Sequence, residues 1–192
     1  MKRLILSVNV TLDGYMAGPD GELDWHFDYW NPEMSAYADA QLQTVDTIIV
    51  GRTTYEGMAQ YWPGAALDPS IGSKDRLFAE RMNALPKIVF SSTLHTLSWN
   101  NARLATYDVA GELARLRNGP GLDIIMWGGV RLVRYCIEHD LIDEYRIWTA
   151  PCMLGGGQRL FPKGIAFRPL QHLESRVFGN GVVLTCFASV TN

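Results

Sequence analysis

The dominant pattern along the chain is a series of short apolar runs separated by stretches of mixed polarity. Leu4 to Val10 alternates weakly and is rich in Leu, Ile and Val, which predicts a buried strand. Asp13-Gly14 and Gly18-Pro19-Asp20-Gly21 then punctuate a long loop reaching about Trp30. Pro32 opens a helical pattern, PEMSAYADAQLQTV, with Asn31 placed to cap it. Thr47 to Val50 is a second apolar strand. Gly51 ends it, and TTYEGMAQYW reads as a helix. Ser73 to Leu85 is another amphipathic helix, with Ser73 as its candidate N-cap. Strands follow at Lys87 to Phe90 and Ala102 to Tyr107, then a helix at Val109 to Arg117. Asp123 to Trp127 is a fifth strand, from which Gly128-Gly129 leads into the helix VRLVRYCIEH. Asp143 to Ala150 is a sixth. Phe167 to Phe178 and Val182 to Val190 read as an antiparallel pair around Gly179-Asn180-Gly181, an Asn-Gly hairpin signal.

Short apolar strands alternating with helices predict an α/β fold. Its core is a three-layer sandwich with a central, mainly parallel sheet flanked by helices. The terminal hairpin makes that sheet mixed. No repeat, low-complexity stretch or linker divides the chain, so residues 1–192 read as one domain. A chain of 192 residues can bury roughly 70% of its extended surface, which is ample for one core.

Charge and cysteines narrow the function. The net charge is -3 and no Lys/Arg run exists, which argues against a nucleic-acid partner. Arginine outnumbers lysine 13 to 4, which suits planar recognition of phosphate or carboxylate but equally reflects codon bias. Cys136, Cys152 and Cys186 are far apart and lie in apolar contexts, as buried reduced thiols do. No Cys/His spacing fits a metal, and none of His95, His139 and His172 has triad or ligand spacing. There is no apolar run long enough for a membrane span, and the apolar start is too short for a signal peptide. The expected compartment is the cytoplasm, with no membrane partner.

Three strand ends carry candidate chemistry. Gly51-Arg52-Thr53-Thr54 stands where a strand stops and a helix starts, so free N–H groups, the helix dipole, a cation and two hydroxyls converge. An ordinary capped turn is the alternative. Trp127-Gly128-Gly129-Val130-Arg131-Leu132 repeats that architecture, with glycines that let backbone approach a ligand. Ser91-Ser92 ends a third strand. Ligands of open α/β sheets sit beyond strand carboxyl ends, and a dinucleotide needs several such sites. Together the three point to anion binding.

At this point the chain resembles the dihydrofolate reductase superfamily, closest to the reductase domain of bacterial riboflavin biosynthesis. The matching pieces are LSVNVTLDGYMAG, VDTIIVGRTTYEGM, KIVFSSTL, IIMWGGVRLVRYCIEHDLIDEYRI and APCMLGGGQRLF, in order across nearly the whole chain. The resemblance implies a dihydrofolate reductase-like fold, NADPH as cofactor, hydride transfer to a small planar heterocycle, and a homodimer. It implies Arg52, Ser91 and Ser92 around the adenosine 2′-phosphate. Gly51, Thr53 and Thr54 would line one side of the diphosphate, and Gly128, Gly129, Val130, Arg131 and Leu132 the other. Asn9, Val10 and Met16 would sit near the nicotinamide. A non-catalytic NADP-binding protein on the same fold is the alternative.

True dihydrofolate reductases carry an acidic residue early in their first helix. Here Asp28 and Glu33 are both candidates for that catalytic carboxylate, and Glu33 also reads as a favourable first-turn charge. His26, between Asp24 and Asp28, reads as a proton shuttle or a solvated loop residue. Trp25, Phe27, Tyr29, Trp30, Tyr37 and Trp62 form an aromatic group that would stack a flat substrate or build a core or dimer seam. Asp13-Gly14 reads as a turn in which Asp13 caps backbone N–H groups, and Gly155-Gly156-Gly157 as a structural connection.

Overall fold

The computed structural model describes residues 1–190. Its centre is an eight-stranded sheet. Strand β1 (Leu4–Thr11) is followed by the short β2 (Tyr15–Ala17), the single-turn α1 (Asp24–Phe27) and α2 (Pro32–Leu42). Then come β3 (Val45–Gly51), α3 (Arg52–Ala65), α4 (Ser73–Ala84), β4 (Lys87–Phe90) and β5 (Ala102–Leu104). The second half runs α5 (Val109–Arg117), β6 (Asp123–Met126), α6 (Val130–Glu138) and β7 (Glu144–Ala150). It ends with β8 (Gln158–Arg159), β9 (Leu170–Val177) and β10 (Val183–Ser189).

The sheet order is β5-β4-β3-β6-β1-β7-β10-β9, while β2 and β8 form a separate antiparallel ribbon. The six strands from β5 to β7 are parallel, and β10 and β9 close the sheet antiparallel. Leu4, Leu6, Ile49, Ile124 and Met126 pack on one face against Leu113 of α5 and Val133 and Ile137 of α6. Ile5, Ile48, Val50 and Ile125 point the other way, against Leu42 of α2, Tyr55 of α3 and Met82 of α4. Strands buried on both faces read as unbroken apolar runs, which is why the sequence marked β1, β3, β4 and β6. The three-layer α/β reading and its mixed, mainly parallel sheet are the observed architecture.

The differences are local. The stretch before Trp30 is not only loop: it holds β2 and α1. The fourth strand stops at Leu104, and the hairpin starts at Leu170 rather than Phe167. Helix α3 begins at Arg52 and continues over Pro63 to Ala65. Asn31 caps α2 as expected, its side chain accepting from Met34 N at 2.9 Å. Ser73 is not a cap; Gly72 holds that position and Ser73 is the first helical residue. Cys136 and Cys186 are buried free thiols, and burial pushes the Cys136 thiol up to about 12. Among the described residues no His/Cys/Asp/Glu group is arranged to hold a metal, and no helix is long and apolar enough to cross a membrane.

Candidate functional site

The strand register aligns the three motifs. Gly51 pairs with Phe90, so Ser91 and Ser92 begin one residue beyond the level of Gly51. Ile49 and Leu6 both pair with Met126, the last residue of β6, so Gly51 follows that level by two residues in β3 and Gly128 by two residues past the end of β6. Neighbouring strands lie about 4.8 Å apart. Ser91-Ser92, Gly51-Arg52 and Gly128-Gly129 therefore share the carboxyl edge of three adjacent parallel strands, with Asn9 and Val10 on the fourth.

Two helices start side by side at this edge. Gly51 is the N-cap of α3 and Gly129 the N-cap of α6, and neither end has a side-chain cap. Gly128 and Gly129 hold φ of 141° and 84°, in the left-handed region that favours glycine. A Cβ on Gly129 would lie 3.2 Å from both Gly51 Cα and Gly51 N. The Thr54 hydroxyl would be 3.5 Å from a Cβ on Gly128. Such a close approach leaves the two sets of orphan N–H groups facing the same space, each with the positive end of a helix dipole. This cradle suits a pyrophosphate, and a methyl group on Gly129 would press against the Gly51 backbone.

Around the cradle, Arg52, Thr53, Ser92 and Arg131 are exposed. Arg52 donates to Glu56 at 2.9 Å, an exposed pair one helical turn on. Such pairs contribute well under about 1 kcal/mol, so the guanidinium is free to exchange partners. Ser91 is committed otherwise: its oxygen accepts from Thr93 N and Leu94 N and shapes the turn after β4. Val10, Met16 and Leu132 are buried together with Leu160, so they form an apolar wall and not a polar contact set. Asn9 is half-buried on β1 and pairs with Trp148 of β7.

The candidate carboxylates fare differently. Glu33 accepts from Arg176 at 3.0 Å and from Gly179 N at 3.1 Å. Its bonds to Arg176 and Gly179 hold its carboxyl below the usual range, the opposite of what a general acid requires. Glu33 ties the start of α2 to the β9–β10 hairpin. Asp28 is exposed just past the end of α1 and makes no ion pair among the described residues. His26 is half-buried beside Phe27, with ring centroids 4.1 Å apart. Its Nδ1 lies 3.0 Å from the Leu23 carbonyl, which can only accept, so Nδ1 carries the proton. Burial pushes its pKa below the ordinary histidine value.

The aromatic group divides. Tyr29, Tyr37 and Trp30 pack toward Trp148 and Phe178. Trp62 instead contacts Tyr61 and Phe78. Asp13 plays the turn role: it accepts from Thr11 Oγ1 at 2.6 Å, Leu154 N at 3.2 Å and Gly155 N at 2.8 Å. Gly157 has φ of 125°, and a Cβ there would sit 2.3 Å from Ala17 O, so it is a tight structural crossing, whereas Gly155 and Gly156 face open space. Arg159 was not singled out by any motif. It stacks 4.6 Å from the Tyr15 ring centre and donates to Asp13 O and Tyr15 Oη, a set of contacts that no local spacing announces.

Comparison with known proteins decides the family, because residues 2–184 match the RibD C-terminal domain. The chain belongs to the RibD C-terminal domain family. Membership of this family points to a reductase. The chain is 33% identical over 182 residues to the uncharacterized protein YyaP of Bacillus subtilis, spanning 95% of this chain and 92% of that one. The fold is similar to a putative riboflavin biosynthesis protein from Shewanella sp. PV-4, at TM-score 0.73, 22% identity and full coverage of both chains. It is also similar to a diaminohydroxyphosphoribosylaminopyrimidine deaminase/5-amino-6-(5-phosphoribosylamino)uracil reductase from Thermotoga maritima. That match has TM-score 0.65 and 16% identity, covering 98% of this chain and 57% of the other.

Proposed function

We propose that this member of the family is an NADPH-dependent reductase that passes a hydride to a small planar heterocycle of pyrimidine or pterin type. The observation that carries the proposal is the pair of uncapped helix starts, Gly51 and Gly129, in backbone contact at the carboxyl edge of adjacent strands. Their N–H groups and those of Thr53, Thr54, Val130, Arg131 and Leu132 would hold the diphosphate. Arg52 would leave Glu56 for the adenosine 2′-phosphate, with Ser92 beside it and Ser91 shaping the turn. NADPH, when bound, supplies the hydride. Val10 and Met16 exclude water from the face where transfer occurs, and Asn9 lies on the same strand end. Membership of the family and the likeness in fold to the deaminase/reductase of Thermotoga maritima support this reading.

Of the two candidate carboxylates we assign proton delivery to Asp28, because Glu33 is held ionised in its clamp. Asp28→Asn is expected to keep NADPH affinity while suppressing reduction of any accepted heterocycle. Equal turnover in the variant would pass the role to water.

The test of the whole reading is titration with NADPH and NADH by fluorescence, using Arg52→Ala as control. Micromolar NADPH affinity, weaker NADH affinity and loss of that preference in the variant are expected. Failure of both nucleotides to bind at millimolar concentration would sink the reductase reading.

A further inference from the structure

The carboxyl edge of the sheet is divided by charge. From Leu4 to Gly51, a quarter of the chain, not one of the 17 lysines and arginines occurs, while eight carboxylates do, six of them between Asp13 and Glu33. Contacts place this stretch. Leu12 N donates to Cys152 O at 2.8 Å, which joins the ends of β1 and β7. Tyr29 lies beside the Cys152 thiol, and the Asn180 side chain donates to Tyr29 O. The turn that carries Asn180 is level with the end of β7, because Val183 pairs with Thr149. Asp13 and Asp28 therefore stand at the half of the edge made by β1, β7 and the β9–β10 turn, next to the half that holds the cradle.

The two halves treat their anion-binding groups in opposite ways. At the cradle, α3 and α6 have neither an acidic residue in the first turn nor a side-chain cap, so their leading N–H groups stay open. At the other half, the donors already hold carboxylates of the chain itself. Leu154 N and Gly155 N, which could have cradled a phosphate, donate to Asp13 at 3.2 and 2.8 Å. Gly179 N and Arg176 donate to Glu33 at 3.1 and 3.0 Å. The hydrogen bond from Thr11 and those from the 154–155 backbone hold the Asp13 carboxyl below its ordinary range, so it stays ionised as Glu33 does. Arg159 is engaged as well: it lies over the Tyr15 ring and donates to Asp13 O and Tyr15 Oη. Among the described residues, Arg159 and Arg176 are the cations hydrogen-bonded to or stacked on residues 11–33.

A phosphate monoester carries about −1.5 to −2 charges at pH 7 and is held by arginine, lysine or open N–H groups. At the β1–β7 half it would meet ionised carboxylates whose donors are spent, and like charges brought together oppose binding. We infer that the substrate reduced here carries no phosphate and is uncharged or cationic, so that the phosphates at this edge are those of the dinucleotide alone. The inference rests on the reductase reading, which puts hydride transfer at the end of β1, and deepens it by giving the charge class of the substrate. It sets this chain apart from the Thermotoga maritima relative, whose name specifies a phosphoribosyl compound.

The experiment is isothermal titration of the NADP⁺-loaded protein, which has no hydride to give. The probes are 5-amino-6-(5-phosphoribosylamino)uracil and the same compound without its phosphate. The phosphate-free compound is expected to bind about tenfold or more tightly at low salt. The gap should close as ionic strength rises from about 0.01 to 1 M, where the Debye length falls from about 30 to 3 Å. Asp28→Lys exchanges an exposed carboxylate for a cation. It should tighten the phosphorylated compound alone, by about tenfold, with the NADP⁺ affinity and melting temperature of wild type. Equal or tighter binding of the phosphorylated compound by wild type overturns the inference. So does a gap that neither salt nor Asp28→Lys changes, which marks exclusion by shape. Binding of neither compound to the loaded protein also overturns it and leaves the cofactor reading standing. If NADP⁺ itself does not load, both fall.

Discussion

At the residue scale, Lys87 opens β4 fully buried and without a carboxylate among its recorded contacts. Its Nζ donates to Asn83 O at 2.8 Å and Asn100 O at 3.0 Å, and lies 4.2 Å from the Trp99 ring centre. Desolvation pushes its pKa from the ordinary 10.5 down to about 8. Below about pH 8 the folded and unfolded chains both carry the charge, and the fold bears the full cost of burying it. Between about pH 8 and 10.5 the unfolded chain holds the proton and the folded chain releases it, so stability rises with pH across that window. The neutral amine still donates to both carbonyls. Denaturant unfolding of wild type and Lys87→Met across this range checks the point. Wild type should gain on the variant as pH rises, and parallel profiles would show that Lys87 titrates normally. Glu33 teaches a related lesson about legibility. Its place in the first turn of α2 was readable from Pro32 and Asn31, and its position suggested an acid. The Arg176 and Gly179 that claim it are brought up by a hairpin over 140 residues later, beyond any local pattern.

At the scale of elements, legibility follows length and burial. β1, β3 and β6 announced themselves as apolar runs closed by polar or glycine residues. β2, α1 and β8 have three, four and two residues, too short to show any period, and the β2–β8 ribbon is locked by Asp13, Arg159 and Gly157. The helix starts at Gly51 and Gly129 were each visible as a strand stopping at glycine. What no pattern could give is that they touch, because the register of β3 against β6 sets that. This contact separates two kinds of glycine. A methyl on Gly129 meets Gly51 backbone at 3.2 Å and forces a side chain into φ of 84°, where neither neighbour can yield. Gly129→Ala is expected to cost about 1–3 kcal/mol of stability and more than tenfold in NADPH affinity. Gly57, inside α3 with open space around its Cβ position, should behave oppositely. Gly57→Ala is expected to raise stability by about 0.5–1 kcal/mol and leave binding alone. Thermal melts and nucleotide titration of both variants check this; matching effects would mean the glycine contact is incidental.

At the scale of the whole molecule, the two ends of the sheet are finished unequally. Helices cover both faces from β4 to β1, and α2 covers one face of β7 and β10 through Met34, Trp148, Leu184 and Cys186. On the other face, Val183, Thr185 and Phe187 of β10 are half-buried, and β9 is exposed along its whole length. β9 pairs only with β10, so its outer edge offers unpaired backbone groups, a liability that proteins normally blunt or cover. Val177 is 70% exposed and its cross-strand partner is Val183. The accessible surface of 10262 Å² exceeds the roughly 9,000 Å² typical of a compact monomer of this mass. We propose that the uncovered face is the seam of the homodimer that the family resemblance implies, with a second copy laid across β9 and β10. A symmetric interface buries the same patch on both subunits, so one substitution acts twice. Val177→Lys should therefore shift the protein from dimer to monomer in light scattering coupled to size-exclusion chromatography. Leu67→Lys alters an apolar residue that is even more exposed, at 84%, just beyond α3, and should leave the dimer intact. The cofactor edge lies on the helix-covered strands β4, β3 and β6, away from this face, so NADPH affinity should survive the loss of the dimer. A wild type that elutes as a monomer at every concentration would remove the interface, and the exposed strand would then need another cover.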